Sequence, residues 1–315
     1  MTQHSVLVLG GAHIDRRGRI VGDTAPGASN PGTWFEEAGG GGLNAARNLA
    51  QLGIKVRLIS PRGGDAEGET VGRTALAAGI DDTPFTFLDR RTPSYTAILE
   101  RDGNLVIALA DMDLYRLFSP RRLHVRHVRD AIDAAGMIVT DANLPGETLT
   151  RLASMAKERG KPLAGIAISP AKVLRFRDAL PQMTFLFMNE AEAFALTGET
   201  PGTAEGWPAL LRAAGLRGGV VTRGGREAIA FDTNGQTALA PPPIDELGDV
   251  TGAGDAMAAG FLWAFQHGHD LPACLRHGTA AAGITVRSPF AVAETMGPET
   301  LAEALSLVPA APLLR

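Results

Sequence analysis

The chain has 315 residues, of which 45% are apolar and 20% charged, with a formal net charge of -4. That length holds one large α/β domain or two ordinary ones and can bury a sizeable core. The mildly acidic balance offers nothing to a nucleic-acid backbone, so a small molecule is the expected partner and nucleic acid is not. A single cysteine, Cys274, excludes an internal disulfide; its apolar surroundings read as a buried small residue, which suits a reducing cytoplasm.

MTQHSVLVLGG lacks the basic start and long apolar core of a signal peptide, and its apolar run predicts a short strand. No run of about 18 apolar residues follows, so no membrane span is expected. A helical pattern in NAARNLAQLG comes next, then the strand VRLIS, then a helix near Ala66 to Ala78. The alternation returns in MIVTD, ETLTRLASMAKERG, PLAGIAI, TFLFMNEAEAFAL and GGVVTR, and predicts a parallel sheet flanked by helices. Two segments break the rhythm. Residues near 14–36 are rich in Gly, Pro and Arg, and Ser94 to Ala108 reads as a hairpin around Asp102 and Gly103. We expect a small β lid, built from segments near 14–36 and 90–112, inserted in a single domain spanning 1–315. The basic run Arg121 to Arg129 has no aromatic or glycine-rich partner and reads as a solvated helix face.

The stretch DVTGAGDAMAAGF, Asp249 to Phe261, sets a glycine knot directly before an apolar helix. Any strand-to-helix turn can use glycine and an acid in this way. The helix that follows also makes an anion site possible, with the N–H groups of Gly252, Ala253 and Gly254 pointing past its positive end. An acid at that position, Asp255, makes sense where it accepts a proton from an incoming hydroxyl while the N–H groups stabilise a transferring phosphoryl. There is no GxxxxGK[ST] motif, and Gly10 and Gly11 lack the third glycine of a dinucleotide fingerprint.

DVTGAGDAMAAGF resembles the C-terminal signature of the ribokinase/PfkB carbohydrate kinases, and AGGGGLNAARNLAQLG resembles their N-terminal signature. NEAE and VTRGG lie between them as that family's magnesium and nucleotide motifs do. The resemblance implies a ribokinase-like three-layer α/β fold, a mostly parallel central sheet flanked by helices, and a small β lid. It implies ATP and Mg2+ as cofactors, a potassium-type ion, and a homodimer paired through the lid.

Carried over by residue, it makes Asp255 the base and the Gly252, Ala253 and Gly254 backbone the anion hole. Asp15 and His13, in GGAHID, fall on the sugar, where a carboxylate offers acceptors to adjacent hydroxyls. Gly40 and Gly41 would let the backbone approach the substrate, and Asn44 would supply an amide. Asn189 and Glu192 match the NxxE pair that holds magnesium and phosphates, through water because magnesium parts reluctantly with its hydration shell. Thr222 and Gly224 match nucleotide contacts, and Thr279 and Gly283 fall where the family encloses adenine. Asp249, Thr251 and Ser288 match the monovalent-cation site.

Within the family the likeness is nearest to pseudouridine kinases, through SNPG, TPSYTAIL, ADMD with Asp111, DANLP and SPAK. The implied reaction is ATP-dependent phosphorylation of a ribosyl 5′-hydroxyl, most specifically that of pseudouridine; alternatives are a kinase of another nucleoside or ribose, and a non-catalytic sensor. Three positions depart from the pattern in segments expected to touch substrate: His13 for Asn, Leu43 for Arg, and Ala110 for Asn.

Overall fold

Runs such as SVLVL, MIVTD and FLFMN are apolar on both faces, the pattern of strands covered by helices on either side. In the computed structural model, which describes residues 5–245 and 247–313, they enter a nine-stranded sheet among the described residues. Its spatial order is Gln236–Leu239, Arg226–Phe231, Gly219–Arg223, Phe185–Asn189, Leu163–Ile166, Met137–Asp141, Ser5–Leu9, Lys55–Ile59 and Asp81–Asp82. Neighbours are parallel from Gly219–Arg223 to Asp81–Asp82; Arg226–Phe231 pairs antiparallel with both Gly219–Arg223 and Gln236–Leu239.

Alternate side chains feed two cores, as the two-residue strand period requires. Val6 and Val8 pack with residues of helices Gly41–Gln51, Ala253–Gln266 and Leu271–Thr285, such as Leu49, Phe261 and Leu275. Leu7 and Leu9 pack on the opposite side with residues of Arg126–Ala134 and Gly146–Glu158, such as Ile132 and Leu152. Three layers result. Strand Ser5–Leu9 pairs with Lys55–Ile59 on one side and Met137–Asp141 on the other, so the sheet order reverses there. Gly10, Gly11 and Asp141 end these strands at the crevice where open α/β sheets bind ligands.

A second sheet of four strands has the order Gly32–Gly39, His13–Ile20, Ser94–Leu99, Leu105–Asp111. These strands fall in the two segments expected to break the rhythm. Their central pair, His13–Ile20 with Ser94–Leu99, is parallel, while the outer pairs are antiparallel. Register puts Gly18 opposite Trp34 and Ile98, with Ile98 opposite Ile107. Trp34, Ile107 and Leu109 are exposed on that face. The intervening residues Asp15 and Arg17 share the other face with Glu37 and Phe35. No helix among the described residues is long and apolar enough to cross a membrane.

Candidate active site

Gly252 adopts φ 78, ψ -7, left-handed geometry in which a side chain would be strained and would also collide with the backbone of Ala291. Helix Ala253–Gln266 starts immediately after it. The N–H groups of Gly254 and Asp255 have no intrahelical acceptor in that first turn, whereas the Ala253 N–H donates to the Val250 carbonyl at 3.3 Å. One of the three expected anion-hole donors is therefore engaged in a long turn bond.

Asp255 sits in the first turn, and its Oδ2 accepts from the Asn44 side-chain amide at 2.9 Å. Asn44 is held by helix Gly41–Gln51, entered through Gly40 at φ 101, where a Cβ would crowd the His13 ring and the Gly11 carbonyl. The other face of the amide, Asn44 Oδ1, is buried without a hydrogen-bond partner. Burial pushes the Asp255 carboxyl up to about 7; Asn44 works against this, and repulsion from Asp141, Asp15 and Glu192 adds to it. A carboxyl poised there is matched to proton abstraction near neutral pH.

Asp141, to which the sequence assigned no role, organises the crevice. Its Oδ2 accepts from the N–H groups of Gly11 at 3.0 Å and Gly42 at 2.8 Å and from the Asn143 amide at 2.9 Å, while its Oδ1 accepts from the Asn143 N–H at 2.9 Å. One buried carboxylate thereby ties the first strand's end to the start of helix Gly41–Gln51. Lys172 donates to Asn143 Oδ1 at 2.7 Å, and burial holds its ammonium below the usual lysine range. Lys172 follows Ile168, which sits at φ 69 in a three-residue turn closed by a Ser169 N–H to Ala167 carbonyl bond of 2.8 Å. For a β-branched residue this is a strained conformation, and it lies on the cleft wall.

Asp15 Oδ1 lies 3.3 Å from His13 Nε2, and His13 Nδ1 lies 3.0 Å from the Tyr115 hydroxyl. Tyr115 is buried, and burial with repulsion from Asp141 and Asp15 pushes its phenol well up. The Tyr115 hydroxyl and His13 Nδ1 share one hydrogen bond, and the imidazole tautomer sets which of the two donates.

A cleft of about 1180 Å3 runs from His13, Gly41 and Asn143 past Gly252, Ala253, Gly254 and Asp255. Asn189, Glu192, Thr222, Gly224, Thr279 and Gly283 line its far part together with apolar Pro242, Ile244 and Val286. Thr279 Oγ1 is buried there without a partner. Apolar walls with an orphaned hydroxyl fit a heteroaromatic ring such as adenine. Asn189 and Glu192 form a reciprocal cap: the Glu192 N–H donates to Asn189 Oδ1 at 3.0 Å and the Asn189 N–H to Glu192 Oε2 at 2.7 Å. Burial raises the Glu192 carboxyl, and its second oxygen remains for a hydrated magnesium ion.

A description of the pfkB family carbohydrate kinases matches residues 3–295. The chain belongs to the PfkB family of carbohydrate kinases. It is 28% identical over 311 residues to a pseudouridine kinase of Escherichia coli, covering 96% of each chain. A ribokinase of Bacillus subtilis is 26% identical, with 90% of this chain and 93% of that one covered. A solved carbohydrate kinase from Agrobacterium tumefaciens superposes with TM-score 0.91 at 60% identity, covering 99% of this chain and all of that one. A ribokinase from Arabidopsis thaliana complexed with ribose and ATP shares the fold, at TM-score 0.82 and 21% identity, over 97% and 99% of the two chains. As a PfkB member the protein is an ATP-dependent kinase of small sugar or nucleoside substrates, with the ribokinase-like fold.

The family pattern is not met everywhere. Asp111 is exposed at the end of the edge strand, opposite Ser94, and lines neither this cleft nor a second cavity of about 370 Å3. Its neighbours Ala110, Met112 and Asp113 line that second cavity, with Tyr115, Asn143 and Lys172. Leu43 is fully buried in the helix core and lines neither cavity, so this departure is a packing residue; His13 and Ala110 do reach cavity walls. Asp249, Thr251 and Ser288 come together, but not as a free set of oxygens. Asp249 Oδ1 accepts both the N–H and the hydroxyl of Thr251, at 2.9 and 2.8 Å, and its Oδ2 accepts from Arg17 at 2.8 Å. The Ser288 hydroxyl oxygen accepts from the Phe290 N–H at 3.1 Å. This arrangement does not fit a monovalent metal ion.

Proposed function

We propose that this kinase phosphorylates the 5′-hydroxyl of a ribosyl nucleoside, pseudouridine in particular. The observation that carries the reading is Asp255, raised to about 7 and held by Asn44 in the first turn of a helix that opens on the cleft. In this reading Asp15 and His13 hold the sugar hydroxyls and Asp255 takes the 5′-hydroxyl proton. The free N–H groups of the Gly252–Asp255 turn stabilise charge on the transferring phosphoryl. Thr279 and Gly283 would enclose the base of ATP in the cleft, and Glu192 with Asn189 would hold a hydrated magnesium ion. When bound, magnesium neutralises charge on the phosphate oxygens.

The second cavity supports a nucleoside over free ribose. It adjoins the sugar subsite through the His13–Tyr115 contact and offers a base edge the Lys172 ammonium, which keeps N–H donors beyond the one given to Asn143. Uridine and pseudouridine have almost the same shape, so discrimination needs such a group and not apolar fit. The four-stranded sheet acts as a lid over the acceptor. Its exposed Trp34, Ile107 and Leu109 suit pairing with a second copy. Side-by-side kinetics with ATP test the reading: pseudouridine should have a higher kcat/KM than uridine, adenosine and ribose. Equal or better use of any of these removes pseudouridine and leaves a kinase of another acceptor.

A further inference from the structure

The four-stranded sheet is fastened to the loop that leads into Gly252, and the fastening is a cation. Arg17 lies on the inner face of the sheet, where strand alternation sends it with Asp15 toward the cleft side. Its Nη2 donates to Glu37 Oε1 at 2.6 Å, on the neighbouring strand, and its Nη1 donates to Asp249 Oδ2 at 2.8 Å. The guanidinium also stands 5.4 Å from the centroid of the Phe35 ring, which stacks against Phe290 at 6.4 Å. Asp249 holds Thr251, the residue before Gly252, through both its backbone N–H and its hydroxyl.

We propose that Arg17 is the resident cation of this kinase at the position where a monovalent metal ion was expected, and that it couples the four-stranded sheet to the phosphoryl-binding turn. The inference rests on the kinase reading for its functional consequence. Arg17 is a positioning residue: it reaches the turn through Asp249 and does not touch the reacting atoms. Glu37 and Asp249 would face one another uncompensated without it, because no second cation is bonded to either carboxylate among the described residues. Arg47 adds only a longer-range attraction to Glu37. A guanidinium fits this place better than an ammonium, since its planar fork serves two carboxylates at once.

The chemistry separates a built-in cation from a recruited one. A protein with Arg17 in place has no need of potassium, whereas one without it presents two carboxylates that attract a small cation. The test compares parent, Arg17→Gln and Arg17→Lys in KCl, NaCl and choline chloride at one ionic strength, by thermal melting and by turnover with the best acceptor. The parent should melt within a degree in all three salts and turn over within twofold. Arg17→Gln should lose tenfold or more of kcat in choline, recover at least threefold in potassium, and show a potassium-specific rise in melting temperature. Arg17→Lys should keep the indifference to salt. A potassium-specific rise in melting or turnover of the parent overturns the proposal, as does an Arg17→Gln protein that folds and shows no such rise. If Arg17→Gln does not fold, salt dependence of Arg17→Lys overturns it and indifference upholds it. Melting decides even if no acceptor is phosphorylated, so failure of the kinase reading is seen separately.

Discussion

Replacing Asp255 by Asn should slow the enzyme and stabilise the protein at the same time. The carboxyl is raised from 3.8 to about 7 by burial, with Asp141, Asp15 and Glu192 adding repulsion. Above pH 7 the folded state carries an ionised group that it disfavours relative to the unfolded chain. That rise from 3.8 to about 7, at about 1.4 kcal/mol for each pH unit, sets an upper bound near 4 kcal/mol. Solvent at the cleft wall screens part of it, leaving about 1–3 kcal/mol. The sign follows from the raised value: the cost is absent below pH 4, grows as pH rises from about 4 to 7, and is constant above. Asn is nearly isosteric and still offers an oxygen to the Asn44 amide. Asp255→Asn should therefore melt a few degrees above the parent at pH 8, with the difference shrinking toward pH 4, while kcat falls by about 10²-fold or more. Thermal melting across pH 4–9 and steady-state turnover measure both. A variant that melts no higher than the parent at pH 8, or turns over within a few-fold of it, refutes the assignment of a strained, proton-accepting carboxylate.

Parent kcat/KM should rise with pH through an apparent pKa near 7, the value at which Asp255 becomes able to accept a proton, and a flat profile from pH 5.5 to 8 would contradict that. Asp15→Ala should raise acceptor KM about 10- to 100-fold, the scale of lost charge-assisted hydrogen bonds, and an unchanged KM removes Asp15 from the sugar. Lys172→Met should raise KM for pseudouridine at least tenfold and leave KM for ribose unaltered; an equal change for both would make Lys172 a structural support only. Hydrogen exchange in His13–Ile20 and Ser94–Leu99 should slow when acceptor binds, whereas equal protection with and without acceptor rules out closure of the four-stranded sheet.

The parallel strands were legible because each is a short run apolar on both faces, bounded by glycine or an acid; SVLVL and MIVTD needed no partner to declare themselves. The hairpin Arg226–Phe231 with Gln236–Leu239 has its local signal in TNG, where Asp232 Oδ1 accepts from the Asn234 and Gly235 N–H groups, and lies outside the strand–helix alternation that marks the parallel strands. Asp255 was readable from the spacing GAGD and its helix. Asp141 was not, since its meaning lies in contacts to Gly11 and Gly42, more than 90 residues away in sequence. The left-handed Ile168 carries no local signal at all, because its conformation is imposed by tertiary context against the preference of a β-branched residue. Leu43 lies in a segment that borders the cleft, yet its apolar side chain in the first helical turn packs into the core. Arg17 stands in a segment rich in arginine and carries no local signal; only the fold brings it to Asp249 across 232 residues.

The most direct measurement is the identity of the product when the protein is incubated with ATP, magnesium and pseudouridine, read by phosphorus–proton correlation NMR. The account predicts one new phosphomonoester coupled to the two 5′-methylene protons, formed in step with ADP and about 10²-fold or more slowly when Asp255→Asn replaces the parent. ADP release without a phosphorylated acceptor, or phosphate on the 2′ or 3′ oxygen, would contradict it.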